Sequence, residues 1–220
     1  MGETSVHAYL VHYLVEVLRW HFRGQMCAVY ENLNFYQTSD AKEYPLAPDI
    51  AVIKGVEFKH LRSWKVGKSG PAPQVVFEIA SEETWKKDLD EKPMKYALMG
   101  VKEYFAYDPN EPPLRRGASR RLFGWQIDKE RREMREMPPG TDGRLWSPSL
   151  ESFLIPDMEY LRLTEQNGQP RPTEAEAEAA ARKAEAEARR VEVRRAEAEA
   201  KRAEVLAEKL RSLGIDPDNI

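Results

Sequence analysis

A single glutamate interrupts an otherwise apolar run. Val75, Val76, Phe77, Glu78, Ile79 and Ala80 follow one another with no other polar side chain, and β-branched and aromatic residues of this kind read as a buried strand. A charged carboxylate in a core costs several kcal/mol unless it is paired or bound to a metal, so any fold this chain adopts has to bring a cation to Glu78. The residues that follow can supply one. Ser81, Glu82, Glu83 and Thr84 form a polar break with helix-capping chemistry. Asp88, Lys92 and Tyr96 then recur every four residues, which places them on one face of a helix. Pro93 is tolerated only in a first turn, so this helix is expected to start near residues 89–91, with Gly100 as its stop. Residues 101–107 read as a second strand, closed by Asp108 and Pro109.

The rest of the chain is arranged around this unit. Residues 1–23 predict an amphipathic helix, capped by Thr4 or Ser5, burying Leu10, Leu14, Val17 and Leu18 and ending at Gly24. His12 is not spaced four from His7 or His21, so the helix carries no two-histidine metal pair, and the three read as surface or core-rim residues. A strand over 27–36 and a polar turn over 38–45 come next. Asp49, after Pro48, stands directly before the apolar strand Ile50, Ala51, Val52, Ile53; it is either a turn-forming residue or part of a site. Residues 54–73 form a basic loop with Phe58 and Trp64 interleaved, either solvated or able to contact phosphates and stack on a base. Residues 120–163 hold short apolar pieces separated by Pro138, Pro139, Gly140, Asp142 and Gly143, expected to form a small antiparallel addition to the sheet.

Beyond a linker at 167–173 the composition changes. Glu174–Ser212 is almost entirely Ala, Glu, Arg and Lys, all strong helix formers. Ala177, Ala181, Ala184, Ala188 and Val191 step by four and three; the step slips and resumes from Val193 to Leu210, a heptad seam with a stutter, ended by Gly214 and Pro217. The expected organisation is a domain at 1–166, the linker, and a helical arm at 174–220. The arm either self-associates or stands alone on its ion pairs. The formal charge of −3 excludes a global basic field. One cysteine, Cys27, excludes an intrachain disulfide framework and a cysteine-cluster zinc site, and reads as a buried free thiol. No apolar run approaches membrane-spanning length and residues 1–23 lack a signal-peptide core, so a soluble cytoplasmic protein with no membrane partner is expected.

Two carboxylates at adjacent strand ends, Asp49 and Glu78, with Lys92 on the following helix, form an oxygen-ligand set for Mg²⁺ or Mn²⁺ beside an amine. Phosphodiester hydrolysis uses such a set. From His7 to Leu163 the chain resembles the Uma-two family, bacterial restriction-endonuclease-like proteins of the PD-(D/E)xK superfamily. The resemblance rests on Pro48-Asp49, Glu78-Ile79-Ala80-Ser81, Asp88, Lys92, Tyr96, Gly100-Val101, Glu103-Tyr104 and Asp108-Pro109 in the family's order. It implies an α/β restriction-endonuclease-like core, a central mixed sheet flanked by helices, and Mg²⁺- or Mn²⁺-dependent hydrolysis of DNA. It also implies Asp49, Glu78 and the Ile79 carbonyl as metal ligands. The superfamily's usual lysine, two residues after the acid, is Ala80 here, and the family's helix-borne lysine matches Lys92. An acidic group from the first helix is matched by Glu16, or else by Glu31 on the next strand. Ser81, Asp88 and Tyr96 are expected in supporting roles. A homodimer through the C-terminal helix and part of the core is the expected assembly. The alternatives are a catalytically silent endonuclease fold acting as a binding or assembly module, and an RNA nuclease.

Overall fold

The structure, a computed structural model, describes residues 5–37, 44–115, 120–128, 130, 133–157 and 160–214. Thr4 as a cap, most of the predicted 38–45 turn, and the predicted stop at Pro217 lie outside them.

The elements, in chain order, are α1 (Ser5–His21), β1 (Cys27–Glu31), β2 (Asn34–Tyr36), β3 (Ile50–Lys54), β4 (Ser63–Lys65), β5 (Val75–Ile79), α2 (Trp85–Asp90), α3 (Lys92–Met99), β6 (Glu103–Tyr107), β7 (Leu122–Asp128), β8 (Glu133–Glu136), β9 (Leu145–Ser147), β10 (Ser152–Asp157), β11 (Tyr160–Thr164) and α4 (Glu174–Ser212). The central sheet runs β1-β3-β5-β6-β7-β8. It is mixed: β5 and β6 are parallel, the other neighbours antiparallel. A crossover through α2 and α3 makes the parallel pair, as parallel neighbours require.

Both faces of the sheet are covered, which is why β5 and β6 are buried at every position. On one face Leu10, Leu14 and Leu18 of α1 pack over Val75, Phe77, Ile79 and Phe105. On the other, Tyr96 and Met99 of α3 lie among Val76, Tyr104, Ala106 and Trp125. Glu78 lies two residues after Val76 and between Phe77 and Ile79, and so falls on the α3 face.

Three local expectations need correction. The helix after Thr84 starts at Trp85, before residues 89–91, and breaks at Glu91; Pro93 has no N–H to continue an unbroken helix and instead occupies the first turn of α3. The predicted loop at 54–73 contains β4, which pairs in parallel with β2. Of the predicted antiparallel addition, only β7 and β8 join the central sheet. β9, β10 and β11 form a separate three-stranded sheet, whose Leu145, Leu154, Leu161 and Leu163 pack on the α1 side of the core.

By contacts the chain divides into two compact units, Met1–Glu174 and Ala175–Ile220. The second is built on α4, which buries none of its own residues. Among the described residues no helix is long and apolar enough to cross a membrane.

Candidate active site

Glu78 is 4 % exposed. Its Oε1 accepts the Tyr96 hydroxyl at 2.6 Å and lies 2.8 Å from Lys92 Nζ. The same ammonium lies 2.7 Å from Asp88 Oδ1, and Asp88 Oδ2 accepts the Thr84 hydroxyl at 2.7 Å. The four-residue spacing of Asp88, Lys92 and Tyr96 therefore lines up one cation and one hydroxyl under the strand glutamate, although Glu91 breaks the helix between the first two.

Burial pushes the Glu78 carboxyl up to about 7, with Lys92 pulling against that shift and Asp49 adding to it. Burial pulls the Lys92 ammonium down, but Glu78 and Asp88 outweigh it and the net shift is upward. Burial, then the Glu78 charge, raises the Tyr96 hydroxyl, which stays a donor.

Asp49 reaches the same sheet end from β3. Ile50 pairs with Phe77 in the antiparallel β3–β5 register, and extending that register by one pair sets Asp49 opposite Glu78. Asp49 Oδ2 accepts the Ile79 N–H at 2.6 Å and stands 3.3 Å from His7 Nε2 of α1. At Ile79, whose carbonyl is the expected ligand, the N–H holds the Asp49 carboxylate in place.

Five acidic side chains are buried among the described residues: Asp49, Glu78, Asp88, Glu103 and Asp108. Three have both oxygens engaged. Asp88 holds Lys92 and Thr84; Glu103 takes the Ser147 and Ser149 hydroxyls and the Ser149 N–H; Asp108 takes Asn110 on one oxygen and the Leu114 N–H on the other. Asp49 and Glu78 differ: every partner found among the described residues sits on Asp49 Oδ2 and Glu78 Oε1, leaving Asp49 Oδ1 and Glu78 Oε2 open. Two open carboxylate oxygens at adjacent strand ends fit a hard divalent cation. Mg²⁺ is commonly held by one or two carboxylates, with water and phosphate oxygens completing the shell. Among the described residues there is no cluster of three or more His, Cys, Asp or Glu placed to hold a metal ion.

The supporting residues divide. Ser81 Oγ lies 3.0 Å from Thr84 Oγ1 in the turn after β5, next to Asp88's partner. Glu16 is exposed and 3.6 Å from His12; nine residues from His7, it points to the opposite side of α1. Glu31 is exposed at the end of β1. Neither acid joins the pair. His7, read from sequence as a surface or rim residue, is buried instead and does join it. The signal was its helical register: His7 continues the buried stripe of Val11, Leu14 and Leu18, where an imidazole must find a polar partner. His21 bonds the Leu150 carbonyl at 3.1 Å. Cys27, expected to be buried, is a half-buried free thiol that burial pushes up to about 11, away from the thiolate form.

A family model described as "Uma2: Putative restriction endonuclease" matches residues 1–120, more than half of the 220-residue chain. Among solved structures, the chain is similar to "a putative nuclease belonging to DUF820" from Anabaena variabilis, with a TM-score of 0.46 and 15 % identity over 68 % of this chain and 76 % of that one. No curated protein matches it.

Proposed function

The chain belongs to the Uma2 family of restriction-endonuclease-like proteins, and from that premise we propose that it is a Mg²⁺- or Mn²⁺-dependent endonuclease hydrolysing DNA phosphodiester bonds. The observation that carries the reading is the pair of open oxygens, Asp49 Oδ1 and Glu78 Oε2, on register-opposed carboxylates beside the Lys92 ammonium. Asp49 and Glu78 would hold the cation, which when bound supplies charge neutralisation at the phosphate and a more acidic water. Asp88 and Tyr96 fix Lys92 and Glu78 respectively. His7 and the Ile79 N–H fix Asp49. Lys92 remains protonated and offers an ammonium to negative charge developing on the phosphoryl oxygens. The arm is proposed to join two copies through the α4 seam.

A second reading has an observation of its own. Lys92 already bridges two buried carboxylates, as a purely structural ion pair would, which fits a silent scaffold. Plasmid nicking in Mg²⁺ or Mn²⁺ separates the two. The endonuclease reading expects nicking by the wild type and a loss of at least about a hundredfold in Asp49→Asn, Glu78→Gln and Lys92→Met. Equal nicking by all four proteins, or none by any, overturns it.

A further inference from the structure

The free edge of the central sheet carries a second feature that the acid pair does not use. β1 is the outermost strand, and a groove of about 730 Å³ runs beside it, walled by the end of α1 and by residues 57–61. Phe58 stands in this groove 44 % exposed, yet it is held in place. Its ring lies 5.1 Å from Tyr30 and 5.3 Å from His60, and the Arg19 guanidinium sits 5.4 Å over it. The props are themselves anchored. Arg19 donates to the Val29 carbonyl at 3.2 Å, and Tyr30 donates to the Lys59 carbonyl at 3.0 Å. Arg23 lies 3.9 Å over Trp20 at the same end of α1. Arg19, Arg23 and Lys59 outnumber the acids of the lining, Glu31 and Glu57.

The groove also points at the acid pair. Glu31, at its far end, pairs in register with Ile50, the residue after Asp49. The Asn32 N–H donates to the Asp49 backbone carbonyl at 3.2 Å.

We propose that this groove holds an unpaired strand of the nucleic acid cut at Asp49 and Glu78, with phosphates on Arg19, Arg23 and Lys59 and a base stacked on Phe58. The proposal rests on the nuclease reading for what becomes of the strand, but the binding itself needs no metal. An exposed aromatic fixed among cations is the usual platform for single strands, because every base offers a π-face. A duplex turns those faces onto one another and leaves Phe58 nothing to stack on.

The test is fluorescence anisotropy of a short fluorescein-labelled thymidine oligomer, titrated with the full chain in EDTA. The wild type is expected to bind the oligomer and to bind its duplex with deoxyadenosine more weakly. Phe58→Leu, which keeps an apolar side chain, is expected to weaken binding about tenfold, and Phe58→Trp to restore it. Lys59→Ala is expected to reduce the slope of log affinity against log salt by roughly 0.7, while Lys183→Ala in α4 leaves binding unchanged. No binding by the wild type, tighter binding of duplex, or equal affinity in Phe58→Leu overturns the proposal. The two readings fail separately. Wild-type nicking with binding indifferent to Phe58 removes the groove and keeps the nuclease. Binding that depends on Phe58 without any nicking removes the nuclease and keeps the groove.

Discussion

The chemistry of the site turns on how a buried carboxylate is accommodated. Glu78 meets one ammonium and one phenol on a single oxygen, too little to offset its burial, so its carboxyl is pushed up to about 7 from an ordinary 4.5. The direction decides the pH behaviour. A raised value means the neutral form suits the metal-free fold, so the stabilising contribution of Glu78 is complete below pH 4.5 and is lost as pH rises through 7. A divalent cation needs the ionised form. The affinity for Mn²⁺ is therefore expected to climb with pH up to about 7 and then level off. Below that point calorimetry in buffers of different ionisation enthalpy should find a proton released on binding. Binding that is flat across this range, with no proton released, would mean Glu78 takes no part. The need for a cation at Glu78 was legible in the sequence because burying a lone carboxylate is costly, and Lys92 was legible because a four-residue step stacks side chains on a helix. His7 was not: a histidine on an apolar stripe must have a partner, but only the fold says that it is Asp49 from 42 residues away.

Elements were legible in kind and less so in pairing. Short apolar runs mark β7 and β10 but do not say which sheet each joins, so the separate sheet of β9, β10 and β11 is not legible in the sequence. One glycine records how closely the two sheets meet. Gly124 of β7 pairs with Phe105 of β6, and a Cβ there would lie 2.6 Å from Leu145 Cδ1 of β9 and 2.9 Å from the Phe105 ring. Gly124→Ala is expected to destabilise the protein by about 1–3 kcal/mol through overpacking, read as a lower midpoint in urea unfolding. A midpoint equal to that of the wild type would mean the sheets have room to part there.

For the molecule as a whole, the arm is the part whose composition and structure agree most directly and whose purpose is least built in. α4 covers 39 residues, and ion pairs such as Arg182–Glu178 and Arg195–Glu199 run along it. Val191 and Val193, which flank the slip in the heptad seam, remain exposed. A helix that associates through such a seam melts at a temperature that rises with protein concentration, whereas a lone helix does not. Circular dichroism melts over a hundredfold range of concentration are expected to show that rise, and its absence would leave the arm a single solvated helix. The acid pair belongs to the other unit, and its claim is sharper. Mn²⁺ titration by calorimetry of the wild type, Asp49→Asn and Glu78→Gln at pH 8 asks whether two side chains from distant parts of the chain share one ion. The expected result is one ion bound by the wild type and at least about tenfold weaker binding in each variant. Unchanged binding in either variant, or none in the wild type, would contradict a metal site between Asp49 and Glu78.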